Sequence, residues 1–354
     1  MRPVFLAVAL LLSLVVCTQA QTQRAAFNDI RGKEHTAPDV AFDEMMSLAE
    51  AGYAPALDRI GYYLRHGIGT KQNLSEARQW YLRAVAAEHP WSFANLARLE
   101  LKLGEEDKAL RLLTAAAEEG RPGTERLLAT SHIDRHFGAA SQPQIGRNIL
   151  EHLIAQGDKN AARDLALRLN WGRLKGQLPD PALTQIVQVG LEGDARFAEA
   201  ALVYASRQPG KNKIDAKTRT SLASVPGVRD KVVSVDRVHL AADTDPAHFW
   251  SHVETILAET KDQNYSRVAR VAFSINKNAW IRVLQMELRA LGYYHGRING
   301  RITASTIRAQ IQFCRAKGIW RQCAQGPLRA ATVGAVAAEI SATKASSESQ
   351  QTGA

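Results

Sequence analysis

Between Leu288 and Gly300 the chain reads LRALGYYHGRING. Glycines at 292, 296 and 300 bracket Tyr293, Tyr294, Arg297 and Asn299. A tyrosine offers a flat apolar face and a hydroxyl. An arginine can pair with a carboxylate, and an asparagine can bond an amide. Together these groups could hold a ligand rather than transform one. The glycines keep the segment tight, so at least one of Tyr293 and Tyr294 is expected to point outward while one packs on the flanking helices.

Few other residues invite chemistry. His132-x-x-x-His136 and His248-x-x-x-His252 each place two imidazoles on one helical face, a spacing that can hold a metal. Neither pair has the glutamate of a His-Glu-x-x-His site or an evident third ligand, so solvated histidines are expected. Ser274-x-x-Lys277 matches part of the penicillin-binding enzyme pattern, but the Ser-Asp-Asn and Lys-Thr-Gly elements are missing. No nucleophilic triad, paired-carboxylate signature, zinc set or phosphate loop stands out. The expectation is a non-enzymatic protein with no cofactor and no metal.

The tyrosine segment needs helices on both sides. Ile281, Leu284, Leu288 and Leu291 form one apolar helical stripe before it, closed at Gly292. Thr303 is a plausible N-cap for a second helix carrying Thr306, Ala309 and Phe313. A shift of 26 residues aligns NGRITASTIRA at 299–309 with QGPLRAATVGA at 325–335. A turn-plus-helix unit is thus used twice after a leading helix.

The chain opens on Arg2, an almost wholly apolar run from Val4 to Val16, and the small residues Thr18 and Ala20. That pattern reads as a secretory signal over residues 1–20. The run is too short to span a bilayer, which takes about 20 residues. Leu14-Val15-Val16-Cys17 also resembles a lipoprotein box, with Val16 where a small residue is usual. No later segment is long and apolar enough to cross a membrane. The formal charge of +10 suggests an anionic partner or serves solubility alone. Export argues against nucleic acid and for material of the cell envelope. Removal of Cys17 leaves Cys314 and Cys323, an even pair in an oxidising compartment. A disulfide is expected; the alternative is two buried thiols.

A repeat precedes all of this. Gly52, Glu88, Gly120, Gly157 and Gly193 recur at spacings of 36, 32, 37 and 36. A period in the mid-thirties marks one helix-turn-helix unit per repeat. Each glycine would close a helix in the left-handed conformation. The first unit carries Ala56-Leu57, Ile60-Gly61, Gly67-Ile68-Gly69, Ala77, Trp80-Tyr81 and Ala84. It resembles the Sel-one-like repeat, a relative of the tetratricopeptide repeat, and the match extends over Ala49–Gly120. The second unit departs from it at Glu88 and in a shortened loop at Leu103-Gly104-Glu105. The resemblance implies stacked αα-hairpins that bind a protein. Trp80, Tyr81 and Trp91 fall on packing positions and are expected in the core.

Leu284-Gln285, Leu291-Gly292-Tyr293-Tyr294, Gly296, Asn299-Gly300, Thr306, Ala309 and Phe313 resemble the three-helix peptidoglycan-binding domain of bacterial wall enzymes. The resemblance implies wall binding through Tyr293, Tyr294, Arg297 and Asn299, with a sugar ring or peptide stem on a tyrosine. Asn299 stands where that family has aspartate, Thr303 where it has glycine, Gln310 where it has an apolar residue, and Cys314 where it has glutamine.

The expected architecture is mainly α: an αα-hairpin repeat solenoid followed by a small three-helix module. A signal (1–20) leads to a flexible segment (21–40) and the helical repeats (41–207). Then come a linker with short helices (208–278), the peptidoglycan-binding-like domain (279–340) and a disordered tail (341–354). The expected function is a periplasmic or secreted adaptor that holds a protein partner on its repeats and peptidoglycan on its terminal module. The alternative is a periplasmic regulator whose repeats bind a sensor or protease and whose module no longer binds wall. A wall-modifying enzyme is a third reading.

Overall fold

The computed structural model describes residues 21–208, 214–260 and 262–352; the expected signal and Cys17 lie outside them. Every regular element among the described residues is helical. None is long and apolar enough to cross a membrane. The chain divides into two compact units, 1–161 and 162–354.

The first unit is a run of antiparallel helices: α1 (21–32), α2 (Pro38–Glu50), α3 (Ala54–His66), α4 (Leu74–Ala86), α5 (Ser92–Lys102), α6 (Glu106–Glu118), α7 (Thr124–Asp134) and α8 (Pro143–Ala155). Each helix packs on the next from α2 to α8. In addition α3 touches α5 and α5 touches α7, closer than α4 comes to α6. The first helices of successive hairpins therefore form one inner row.

Small residues permit this packing. A Cβ on Gly61 would stand 2.8 Å from the Tyr81 ring, so the glycine lets α4 lie against α3. Trp80 and Tyr81 are core residues, but Trp91 is not: it is 53% exposed at the start of α5. The repeat-closing glycines at 52, 120 and 157 all take positive φ, as their spacing implies. Glu88 adopts the same left-handed turn at φ 52°, which costs a residue with a Cβ about 1–2 kcal/mol.

The segment expected to be flexible, 21–40, is instead mostly helical and tied down. Ile30 is buried. Glu34 accepts 2.7 and 2.8 Å hydrogen bonds from Arg59 Nε and the Tyr63 hydroxyl. Those contacts give the segment enough burial to offset its ordering entropy.

The second unit follows α9 (Lys159–Asn170), which crosses the boundary. It contains α10 (Asp180–Leu191), α11 (Ala195–Ser206), α12 (Ala216–Ala223), α13 (Asp230–Thr244), α14 (Phe249–Glu259), α15 (Asp262–Ile275), α16 (Lys277–Ala290), α17 (Ala304–Ala316), α18 (Trp320–Cys323) and α19 (Ala330–Thr352). The stretch expected as a linker, 208–278, is largely structural. One core joins Val238, Phe249, Val253, Tyr265 and Phe273 to Trp280, Leu284, Phe313, Val333 and Ile340. Helix α15 packs along α19. The terminal module is thus not a separate body with its own core. The tail expected to be disordered is helical instead: α19 continues to Thr352, with Lys344 paired to Glu287 at 2.5 Å and lying over the Tyr265 ring.

Candidate functional site

The tyrosine segment lies between α16 and α17, and a buried glutamine organises it. Gln285 is 0% exposed. Its Oε1 accepts from the backbone N–H groups of Asn299 and Gly300, both at 2.9 Å. Its Nε2 donates to the Arg301 carbonyl at 2.9 Å and to the Thr306 hydroxyl at 3.0 Å. All the hydrogen-bonding capacity of the side chain is used to hold the turn, with the groups that a turn otherwise leaves unpaired.

Of the four expected ligand residues, Arg297 and Asn299 are exposed, Tyr293 is half-buried and Tyr294 is buried. Tyr294 is 2% exposed, and its hydroxyl donates to the Arg297 carbonyl at 2.8 Å. Burial and a closed internal hydrogen bond remove it from ligand contact, which corrects the expectation for that residue. Tyr293 is half-buried and packs edge-on against Phe313, with ring centroids 5.5 Å apart. Neither tyrosine is fully exposed. Asn299 Oδ1 accepts from the Arg301 backbone N–H at 3.0 Å, so the amide shapes its own turn. Arg297 is exposed. Thr303 caps α17 by accepting from the Thr306 N–H. Cys314 and Cys323 form a disulfide across the α17–α18 connection, with Cα atoms 6.4 Å apart.

The histidine pairs separate. His132 is buried, contrary to the expectation of a solvated ring, and accepts from the Gln142 N–H at 3.2 Å. His136 is exposed. His248 and His252 are exposed and both contact the Asp245 carboxylate, at 3.1 and 3.0 Å. Those contacts, His252 first, hold the Asp245 carboxyl below its usual value. No group of three such residues suited to a metal occurs among the described residues.

The inner row of the first unit carries a site absent from the sequence-based expectations. Arg65 on α3, Arg98 on α5 and Arg126 on α7 are all half-buried. Counted from the repeat-closing positions 52, 88 and 120, they stand at offsets of 13, 10 and 6. Those offsets differ by 3 and 4, so the arginines share one helical face and step one turn per helix. That regularity is the signal from which the row could have been found. Arg126 pairs with Asp158 at 3.4 Å. Arg98 donates to Asn95 Oδ1 at 3.1 Å, and Asn95 in turn donates to both oxygens of Asp58, at 3.0 and 2.9 Å. Among the described residues, neither Arg65 nor Arg98 has a carboxylate at ion-pair distance, and Arg65 Nε is buried without a hydrogen-bond partner. Burial, and after it the neighbouring Arg65 and Arg126, hold the Arg98 guanidinium below its ordinary value. His66 is lowered in the same way, by burial and then by Arg65, Lys102 and Arg59. This face concentrates positive charge that Asp58 and Asp158 offset only in part.

No protein-family model matches the chain, and no curated protein matches it. Among solved structures, the chain is similar to a protective antigen of uropathogenic Escherichia coli described as displaying an SLR fold. The TM-score is 0.41 at 14% identity, covering 87% of this chain and 68% of that one. It is also similar to a Sel1 repeat protein from Oxalobacter formigenes, with a TM-score of 0.42 at 18% identity, covering 72% of this chain and 98% of that one.

Proposed function

We propose that this protein is a non-enzymatic adaptor of the bacterial cell envelope that holds a protein partner on its first unit. The observation that carries this reading is the inner row of α3, α5 and α7, whose neighbouring helices present polar and charged side chains on one face. Stacked hairpins commonly bind through such an extended face. The apolar N-terminal run supports export. Affinity isolation of the full chain from its native envelope tests the reading. It predicts a stoichiometric protein partner retained through stringent washing, and recovery of the chain alone would contradict it.

Wall attachment by the terminal module is a second reading. It rests on the peptidoglycan-binding-like residue pattern and on the exposed Arg297 beside half-buried Tyr293. The internal commitments of Tyr294 and Asn299 weigh instead toward a regulator whose module does not bind wall. Sedimentation of the full chain with purified sacculi separates the two. Pelleting that Arg297→Ala abolishes supports wall attachment, and a chain that stays in the supernatant supports the regulator.

A further inference from the structure

The adaptor reading leaves the partner's chemistry open, and the inner row narrows it. Three half-buried arginines run diagonally across three touching helices, and two of them lack a carboxylate at ion-pair distance among the described residues. We propose that the α3–α5–α7 face binds an extended, acidic segment of the partner polypeptide, with carboxylates spaced to meet Arg65, Arg98 and Arg126 in turn.

The spacing follows from geometry. Packed helices lie about 9 Å apart, and one helical turn rises about 5.4 Å. A diagonal step from one arginine to the next is therefore roughly 10 Å. An extended peptide advances about 3.3 Å per residue, so about three residues span each step. The matching segment carries Asp or Glu at every third position. Buried Asp58 holds the Asn95 amide, whose oxygen in turn orients Arg98 toward the row. The apolar N-terminal run that supports export favours polypeptide over nucleic acid as the occupant. Guanidinium–carboxylate pairs are charge-assisted and strengthen where water is partly excluded, as it is around these half-buried side chains.

This inference rests on the adaptor reading, and its test keeps the two separable. The probe is a fluorescein-labelled ten-residue Gly/Ser peptide with glutamates at positions 2, 5 and 8, titrated by anisotropy against the full chain. A second peptide carries the three glutamates consecutively, and a third carries lysines at positions 2, 5 and 8. The spaced glutamate peptide should bind at least tenfold more tightly than either control. Arg98→Gln and Arg65→Gln should each weaken it about tenfold, with helical content and melting retained because each change removes one of several crowded like charges. Arg237→Gln, on an exposed side chain of α13 in the second unit, should leave binding unchanged. Equal binding of the three peptides, undiminished binding by the Arg98 variant, or no binding to the unaltered chain would overturn the proposal. A partner that co-purifies undiminished with Arg98→Gln overturns the acidic groove and leaves the adaptor reading standing. Absence of any partner defeats the adaptor reading itself.

Discussion

Arg219 in the second unit and Arg98 in the first have opposite surroundings. Arg219 is 1% exposed, yet it reaches Asp236 at 2.7 Å, Asp243 at 3.0 Å and the Asp236 carbonyl at 3.2 Å. Asp236 also receives the Ser206 hydroxyl at 3.1 Å. Arg98 is only half-buried and has one neutral acceptor at hydrogen-bond distance, with two other arginines and the more weakly acting Asp58 for charged neighbours. A charge that serves the fold has its desolvation offset by partners within the fold. A charge left to repel its neighbours on an accessible row is suited to completion by another molecule. The tyrosine segment resembles Arg219 in part: the Gly300 N–H, the Tyr294 hydroxyl and the Asn299 side-chain oxygen all have partners within the turn or on Gln285.

The largest expected effect falls on Arg219. Replacement by alanine strands Asp236 in the interior and should cost about 3–5 kcal/mol, read from urea unfolding of the full chain. A variant as stable as the parent would erase the difference between the two arginines. Gln285→Leu comes next. It strands the Asn299 and Gly300 N–H groups and should cost about 2–6 kcal/mol by the same measurement, at about 1–3 kcal/mol for each unsatisfied group. A smaller cost would mean that water replaces the glutamine and that the segment is more open than its contacts indicate.

Reduction of Cys314–Cys323 tests whether the second unit is also closed covalently. The chain-entropy relation for so short a loop gives about 2–3 kcal/mol. Thermal melting with and without reductant should lower a transition belonging to the second unit and spare one belonging to the first. A uniform fall would mean that the units melt as one.

The acid limb of stability sharpens the picture of the first unit, where Glu34 is a matched charge. Burial works against its ionised form, but the hydrogen bonds from Arg59 and Tyr63 and the Arg59 charge outweigh it and leave its pKa below the ordinary value. Burial first, and then the bond to Glu34, push Tyr63 up to about 12. Because the folded pKa of Glu34 is depressed, its contribution is present above the unfolded value of about 4.3 and is lost as pH falls through the folded value. Melting should therefore hold steady from neutral pH to about 5 and decline below that, and Glu34→Gln should flatten the decline. An unchanged slope in the variant would assign acid lability to other carboxylates.

The smallest effect concerns Glu88. Glycine there relieves the left-handed strain and should raise stability by about 1 kcal/mol, less the added flexibility of the unfolded chain. Urea unfolding of Glu88→Gly checks it, and a loss of stability would mean that the side chain holds the turn.

Much of the fold is legible in the sequence because it depends on periodic small residues. The closing positions from Gly52 to Gly193, the Ile60-Gly61 pair against Tyr81, and the Thr303 cap all follow from local sterics or local hydrogen bonds. The roles of 208–278 and of the tail are not legible. Helices α13 and α15 have patterns that do not say what they pack on, and only the shared core with Trp280 and Val333 shows it. The role of Tyr294 is missed for a related reason. A tyrosine beside glycine is as well suited to bond the backbone of its own turn as to meet a ligand, and Tyr294 does the former. The arginine row is easily missed because its members are far apart in sequence, and only their stepped offsets from the closing positions mark it.

Photo-crosslinking in the native envelope tests the central claim most directly, since it reads the occupied surface whatever the partner is. A photoreactive residue would replace Arg98 or Asn95 on α5 and, separately, the exposed Leu82 on α4. Arg98 lies on the proposed binding row, so its replacement is read together with that at Asn95, which leaves all three arginines in place. An adaptor that holds its partner on the inner row gives one discrete protein adduct from position 95 or 98 and none from 82. Adducts from 82 alone, or none from any of the three positions, would contradict it.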